Sequence, residues 1–191
     1  HRALPRDYPR PMPSRSPWAS FAGLFIVTNL GLLAVGATLP VLPHYVKDEL
    51  GGGDLAVGIV SGAFALTGIV CRPAAGHFAD TRGRKPTVVV GAILAAIAGC
   101  LYFMPAGIPG LIVSRLFLGA GEGTVFTAGS AWNVDLAPVE RRGRMIGLYG
   151  IAIWTGLTLG PPIGVQLQDL GGYELVWAFA AAAPLLGAAI A

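Results

Sequence analysis

The run Trp18-Ala-Ser-Phe-Ala-Gly-Leu-Phe-Ile-Val-Thr-Asn-Leu-Gly-Leu-Leu-Ala-Val-Gly-Ala-Thr-Leu-Pro-Val-Leu42 decides the fold. No Asp, Glu, Lys or Arg falls between Arg15 and Lys47. A helix rises 1.5 Å per residue, and the hydrocarbon core of a bilayer is about 30 Å thick, so this run is long enough to cross it. Trp18 is placed to anchor the end at the membrane interface. The run is too long for the apolar region of a signal peptide and lacks a small-residue cleavage site before polar sequence.

Working outward, the same reading gives five more spans, at 55–78, 87–104, 111–134, 145–168 and 175–191. Pro105-Ala-Gly-Ile-Pro-Gly110 reads as a tight turn between the third and fourth. Helices are the expected form, because lipid offers no partner for free backbone groups. The period-2 alternation of a membrane barrel is absent. Composition agrees: the 191 residues are 54% hydrophobic and 12% charged, with mean hydropathy +0.66. A soluble domain carries roughly 25% charge. Disordered chains, nucleic-acid-binding domains and ordinary soluble enzymes are thereby disfavoured. Cys71 and Cys100 sit inside apolar runs and read as buried core residues.

Charge placement sets orientation. Arg2, Arg6, Arg10 and Arg15 precede the first span; Arg82, Arg84 and Lys85 follow the second; Arg141, Arg142 and Arg144 follow the fourth. These ten of the 13 basic residues fall on one side. The other side has Lys47 among Asp48, Glu49, Asp54, Asp169 and Glu174. Basic loops stay in the cytoplasm, so the chain is expected to be a multi-pass protein of the plasma (inner) membrane with its N-terminus inside. Residues 1–17 form a Pro/Arg-rich cytoplasmic tail, and 18–191 a six-helix transmembrane domain. The chain begins at His1, which suggests a fragment, a processed chain or a missed start.

The segment after the second span reads Gly76-His-Phe-Ala-Asp80-Thr-Arg82-Gly83-Arg84-Lys85-Pro86. Gly83 permits a sharp turn, and Pro86 suits the first turn of the next helix. Arg115-Leu-Phe-Leu-Gly119-Ala-Gly121-Glu122-Gly123 lies in the fourth span, and Asp135-Leu-Ala-Pro-Val-Glu140-Arg141-Arg142-Gly143 closes it. The fifth carries Gly147, Gly156, Gly160, Pro161 and Gly164. Taken in order on six spans, these segments resemble the motifs of the major facilitator superfamily of secondary transporters. Gly76, Asp80, Gly83, Arg84 and Lys85 match its loop signature, with Thr81 where a basic residue is usual; Val165 stands in place of the last glycine of the fifth-span motif.

The resemblance implies an all-α membrane protein, a six-transmembrane-helix bundle built as a 3+3 inverted repeat, and half of that family's fold. A faint echo agrees: Gly76-x3-Asp80 ends the second span and Gly164-x4-Asp169 the fifth. A second six-helix half is the implied partner, in cis or as a homo- or hetero-dimer. The implied activity is transport of a small-molecule substrate by alternating access, as proton-coupled efflux, with sugar-efflux and drug-efflux branches closest in look. Asp80 is implied to contact the opposite half, and Arg84 to pair with Asp135, so that both close the cytoplasmic gate. The fifth-span glycines are implied to pack at the moving interface with the other half, with dimerisation of the stripe as the alternative.

From the residues themselves, Arg115 and Glu122 are seven apart and share one helix face with Gly119. An ionisable group at mid-membrane costs on the order of 3 kcal/mol by insertion scales, so Glu122 reads as a proton or substrate site unless it makes a structural contact to a neighbouring helix. Asn29 and Trp154, mid-span, are candidates to face a cavity, or else to serve interhelical bonding and packing. Arg72 is near enough to the basic side to snorkel. Ala152, Gly156, Gly160 and Gly164 recur every four residues and allow close helix approach. His44 and His77 flank opposite membrane faces and His1 is terminal, so no metal site, cofactor or enzyme activity is expected. The reading from another class is a non-transporting remnant or an assembly module for a partner chain.

Overall fold

A computed structural model describes residues 17–104 and 106–191, apart from the side chain of Pro17. The tail over 1–16 and Pro105 of the expected turn lie outside the described residues. Six helices follow in order: α1 (Pro17–His44), α2 (Asp54–Val70), α3 (Arg72–Arg82), α4 (Arg84–Leu101), α5 (Gly107–Leu136) and α6 (Arg142–Ile190). A π turn, Tyr45–Glu49, extends α1.

These elements make six spans among the described residues. α1, α4 and α5 each cross alone. The second crossing is α2 with α3, bent by 42° at Cys71. Pro73 explains the bend: it has no N–H to give the Ile69 carbonyl, and its ring crowds that group. The second span is therefore not the single rod 55–78; it runs on to Arg82, which puts Gly76 and Asp80 inside a helix instead of a loop. α6 is two spans joined without a loop. Gly172, at φ 67°, breaks it into a first limb (142–170) and a second limb (173–190). A side chain would be strained there. At the third-to-fourth connection α5 starts at Gly107, so Pro109 and Gly110 belong to its first turn. Gly83, at φ 99°, makes the turn into α4 and places Pro86 in that helix's first turn.

Glycines set the packing. A Cβ on Gly160 would lie 2.6 Å from the Gly36 Cα, and one on Gly156 would lie 2.9 Å from the Asn29 carbonyl oxygen. Gly164 abuts Ala37 in the same way. The stripe of the fifth span is thus filled by α1 of the same bundle, not by another half or a second copy. The backbones approach so closely that only hydrogen fits between them. Gly147 is no part of this contact and has open space around it.

The second span meets the fourth likewise, Gly123 against the Gly68 carbonyl at 2.7 Å. Gly91 of α4 and Gly121 of α5 join third to fourth; Gly187 against Val27 joins sixth to first; Gly99 against Ala181 joins third to sixth. Exchanging spans 1, 2, 3 for 4, 5, 6 maps this set of pairings onto itself, as a 3+3 inverted repeat requires.

Two apolar clusters fill the ends, one around Leu24, Val88, Trp132 and Met145, the other around Leu42, Val46, Tyr102 and Trp177. Leu55, Leu66, Ile69 and Leu185 face outward, as lipid-facing residues do. Cys100 is also exposed and Cys71 half-buried, so neither is the buried core residue expected from its apolar neighbourhood. Position along an apolar run does not reveal which helix face it occupies.

Candidate functional site

Glu122 is the sixteenth of the 30 residues of α5. Its side chain points into the bundle and is 6% exposed. Gly31 of α1 makes the room: a Cβ there would sit 2.5 Å from Glu122 Oε1. That oxygen is buried and has no hydrogen-bond partner. A buried polar atom without a partner costs about 1–3 kcal/mol, more when charged, so it marks either a site awaiting an occupant or a strained group.

An adjoining cavity of about 270 Å³ supplies the space. Thr28, Phe64, Gly68, Arg72, Glu122 and Phe126 are among its lining, from α1, α2, α3 and α5. It is mostly apolar, with one acid and one base. Thr28 donates to the Tyr149 hydroxyl across 3.3 Å and so ties the cavity wall to α6.

Arg72 does not snorkel away from the bundle. Its Nε donates to the Gly68 carbonyl at 3.2 Å, and its guanidinium lies 5.2 Å from the centre of the Phe126 ring. The bend at Pro73 carries it beside the cavity. Arg115 is elsewhere: 3% exposed, it donates from Nη1 to Thr38 at 3.3 Å, and its Nε is unpartnered. Arg115 and Glu122 share a buried face, as their spacing predicts, yet no ion pair joins them.

Asn29 is set apart from the cavity. Its Nδ2 donates to the Ala152 carbonyl and the Thr155 hydroxyl, each at 2.9 Å, which pins α1 to the first limb of α6. Trp154 is 69% exposed on the opposite face of that limb and does not line the cavity. Residues that sequence reasoning missed are Gly31, visible only through the helix it faces, and Arg72. Pro73 beside Arg72 was the signal for the latter.

At the basic end, Arg84 joins three elements. Its Nη1 meets Asp80 Oδ1 at 2.5 Å and its Nε meets Asp135 Oδ2 at 3.0 Å. The pairing with Asp135 agrees with the resemblance; the bond to Asp80 is an addition to it. Lys85 is exposed beside them, and a Cβ on Gly76 would lie 4.0 Å from the Thr127 methyl of α5, at ordinary contact distance. No cluster of metal-ligating side chains occurs among the described residues.

A sequence profile of the Major Facilitator Superfamily matches residues 24–191. An uncharacterised MFS-type transporter of Salmonella typhimurium is 34% identical over 154 residues, covering 76% of this chain and 40% of its own length. Multidrug resistance protein 1 of Bacillus subtilis is 31% identical over 165 residues, covering 85% of this chain and 42% of its own length. The chain thus spans about two fifths of the curated relatives it matches. Among solved structures, a bacterial homologue of the human lysosomal transporter Spinster, inward-facing and unoccupied, superposes with a TM-score of 0.79. It is 18% identical, and the match covers 93% of this chain and 43% of that one, a likeness of fold alone. Six glycine-knit apolar spans, the Asp80–Arg84–Asp135 cluster and these matches lead to one assignment: the chain is an integral membrane protein of the Major Facilitator Superfamily.

Proposed function

We propose that this chain is one six-helix half of a proton-coupled transporter that exports small molecules by alternating access. The observation that carries the reading is Glu122, with a buried, unpartnered carboxyl oxygen at mid-span beside an apolar cavity. An ionisable group so placed is a functional site by default. It can hold a proton or a cationic substrate, but a single carboxyl cannot satisfy both at once, and that exclusion couples the two fluxes. Differential affinity in two conformations then drives exchange. Not being an enzyme, the protein needs only binding and motion for this.

The cavity opens on the bundle surface, so a second half, in the same chain or another, completes it. The basic end faces the cytoplasm in this reading, as Arg82, Arg84, Lys85, Arg141, Arg142 and Arg144 favour. The plasma membrane is its location. Asp80, Arg84 and Asp135 close the cytoplasmic side.

The test is flux in proteoliposomes holding the protein together with its second half. Tetraphenylphosphonium is the probe, a lipophilic cation suited to an apolar pocket with one acid. An imposed pH gradient is expected to drive its movement in wild type and not in Glu122→Gln, which keeps shape and loses the ionisable oxygen. Equal gradient-driven flux in the two would remove Glu122 from the mechanism.

A further inference from the structure

A second cavity, of about 420 Å³, lies at the acidic end of the bundle, far from Glu122 along the spans. Tyr45, Glu49, Tyr102, Tyr173, Glu174 and Trp177 line it. Two departures from regular helix build it. The π turn carries Tyr45 and Glu49, and such turns often serve to aim side chains at a site. The Gly172 break starts the second limb at Tyr173, so Tyr173 and Trp177, one turn apart, lie nearly parallel with centroids 6.2 Å apart. Tyr102, just past the end of α4, stacks on Trp177 at 4.5 Å, and Tyr45 sets its edge against Trp177 at 5.4 Å.

This is more than an interfacial belt of rings. Belt residues present their rings to lipid headgroups, whereas Tyr102 and Trp177 are each 3% exposed and face other rings. The Tyr102 hydroxyl is buried in the cavity wall with no partner. Negative charge surrounds the group. Lys47, the one Lys or Arg at this end among the described residues, is taken by Asp54 at 2.6 Å. Glu49 and Glu174 join no ion pair among the described residues.

We propose that this cavity binds an organic ammonium ion between the aromatic rings and the carboxylates of Glu49 and Glu174. Aromatic faces attract a cation that carries alkyl groups, and two carboxylates supply the counter-charge. A hard metal ion fits poorly, because calcium wants six to eight oxygen ligands, whereas the only carboxylates in this wall are those of Glu49 and Glu174 and they stand among five aromatic rings. The unpartnered Tyr102 hydroxyl can serve a hydroxyl or N–H group carried by the ligand. The ammonium can arrive on a free small molecule or on a phospholipid headgroup, since both present the same chemistry here.

The experiment titrates choline against the protein with its second half in maltoside micelles, read by saturation-transfer NMR. The comparison ligand is 3,3-dimethyl-1-butanol, which has the same shape without the charge. Choline is expected to saturate a site in wild type and in Glu122→Gln alike. The neutral isostere, and choline with the Glu49→Gln/Glu174→Gln variant, should bind about tenfold more weakly. Trp177→Phe should keep the site and Trp177→Leu lose it. The isostere comparison uses wild type, so it decides even where a Trp177 variant fails to fold. In nanodiscs, weaker choline binding in phosphatidylcholine than in phosphatidylglycerol identifies a lipid headgroup as occupant; equal binding identifies a free ammonium. Absence of saturation, equal affinity for the isostere, or loss in Glu122→Gln would overturn the proposal.

Discussion

Gly160→Val is expected to abolish recovery of folded protein. The Cβ of any residue at 160 would lie 2.6 Å from the Gly36 Cα and 2.8 Å from the Leu33 carbonyl oxygen. These are backbone atoms, which cannot rotate aside as a side chain would. Relief requires α1 and the first limb of α6 to separate, and that would strand Asn29 from its two acceptors. Overpacking a tight core typically costs about 1–3 kcal/mol. Here the cost falls on two backbones at once and also breaks interhelical bonds, so the total should exceed that range. Gly147→Val on the same limb is the control, because nothing lies within 4 Å of a Cβ there. Size-exclusion profiles in detergent should show a monodisperse peak for Gly147→Val and aggregate for Gly160→Val. A folded Gly160→Val protein would refute the close crossing.

The second large effect concerns the basic end. Asp80→Asn should leave folding intact and reduce flux of tetraphenylphosphonium to background, while Asp135→Asn should reduce it about fivefold at most. The reason is one of magnitude. Asp80 and Asp135, both more than half exposed, each bond the half-buried Arg84. An exposed pair is worth about 0.2–1 kcal/mol, which shifts a two-state equilibrium by no more than about fivefold. Loss of one arm from Arg84 therefore cannot stop transport by itself. Complete loss in Asp80→Asn requires a further partner for its other oxygen, and the second half is the one the resemblance supplies. Comparable residual flux in the two variants would mean that Asp80 does no more than brace Arg84.

Much of this architecture can be read from residue order. The charge-free run at 18–42 and the odd-even placement of arginines give the number of spans, the first through the cost of charge in hydrocarbon and the second through the retention of basic loops on one side. The turn at Gly83 is legible for the same kind of local reason. Features that depend on what a face meets are not. Spacing shows that Gly156, Gly160 and Gly164 form a stripe, but not that α1 fills it. Asn29 looks equally apt for a cavity or a neighbouring helix until the Ala152 carbonyl is placed beside it. Arg72 reads as a surface cation until the Pro73 bend and the Phe126 ring draw it to the cavity wall. Glu122 is the intermediate case: its depth is plain in the sequence, and its unpartnered oxygen only in three dimensions.

The crosswise glycine contacts, first span with fifth and second with fourth, interlock the two triplets at their closest points. Neither triplet can slide on the other without steric collision. The bundle should therefore behave as one solid piece, and in the alternating-access cycle proposed above any relative displacement would fall along its border with the proposed second half. Spin labels placed in pairs within these six spans would report constant separations, and only pairs that straddle the border would change.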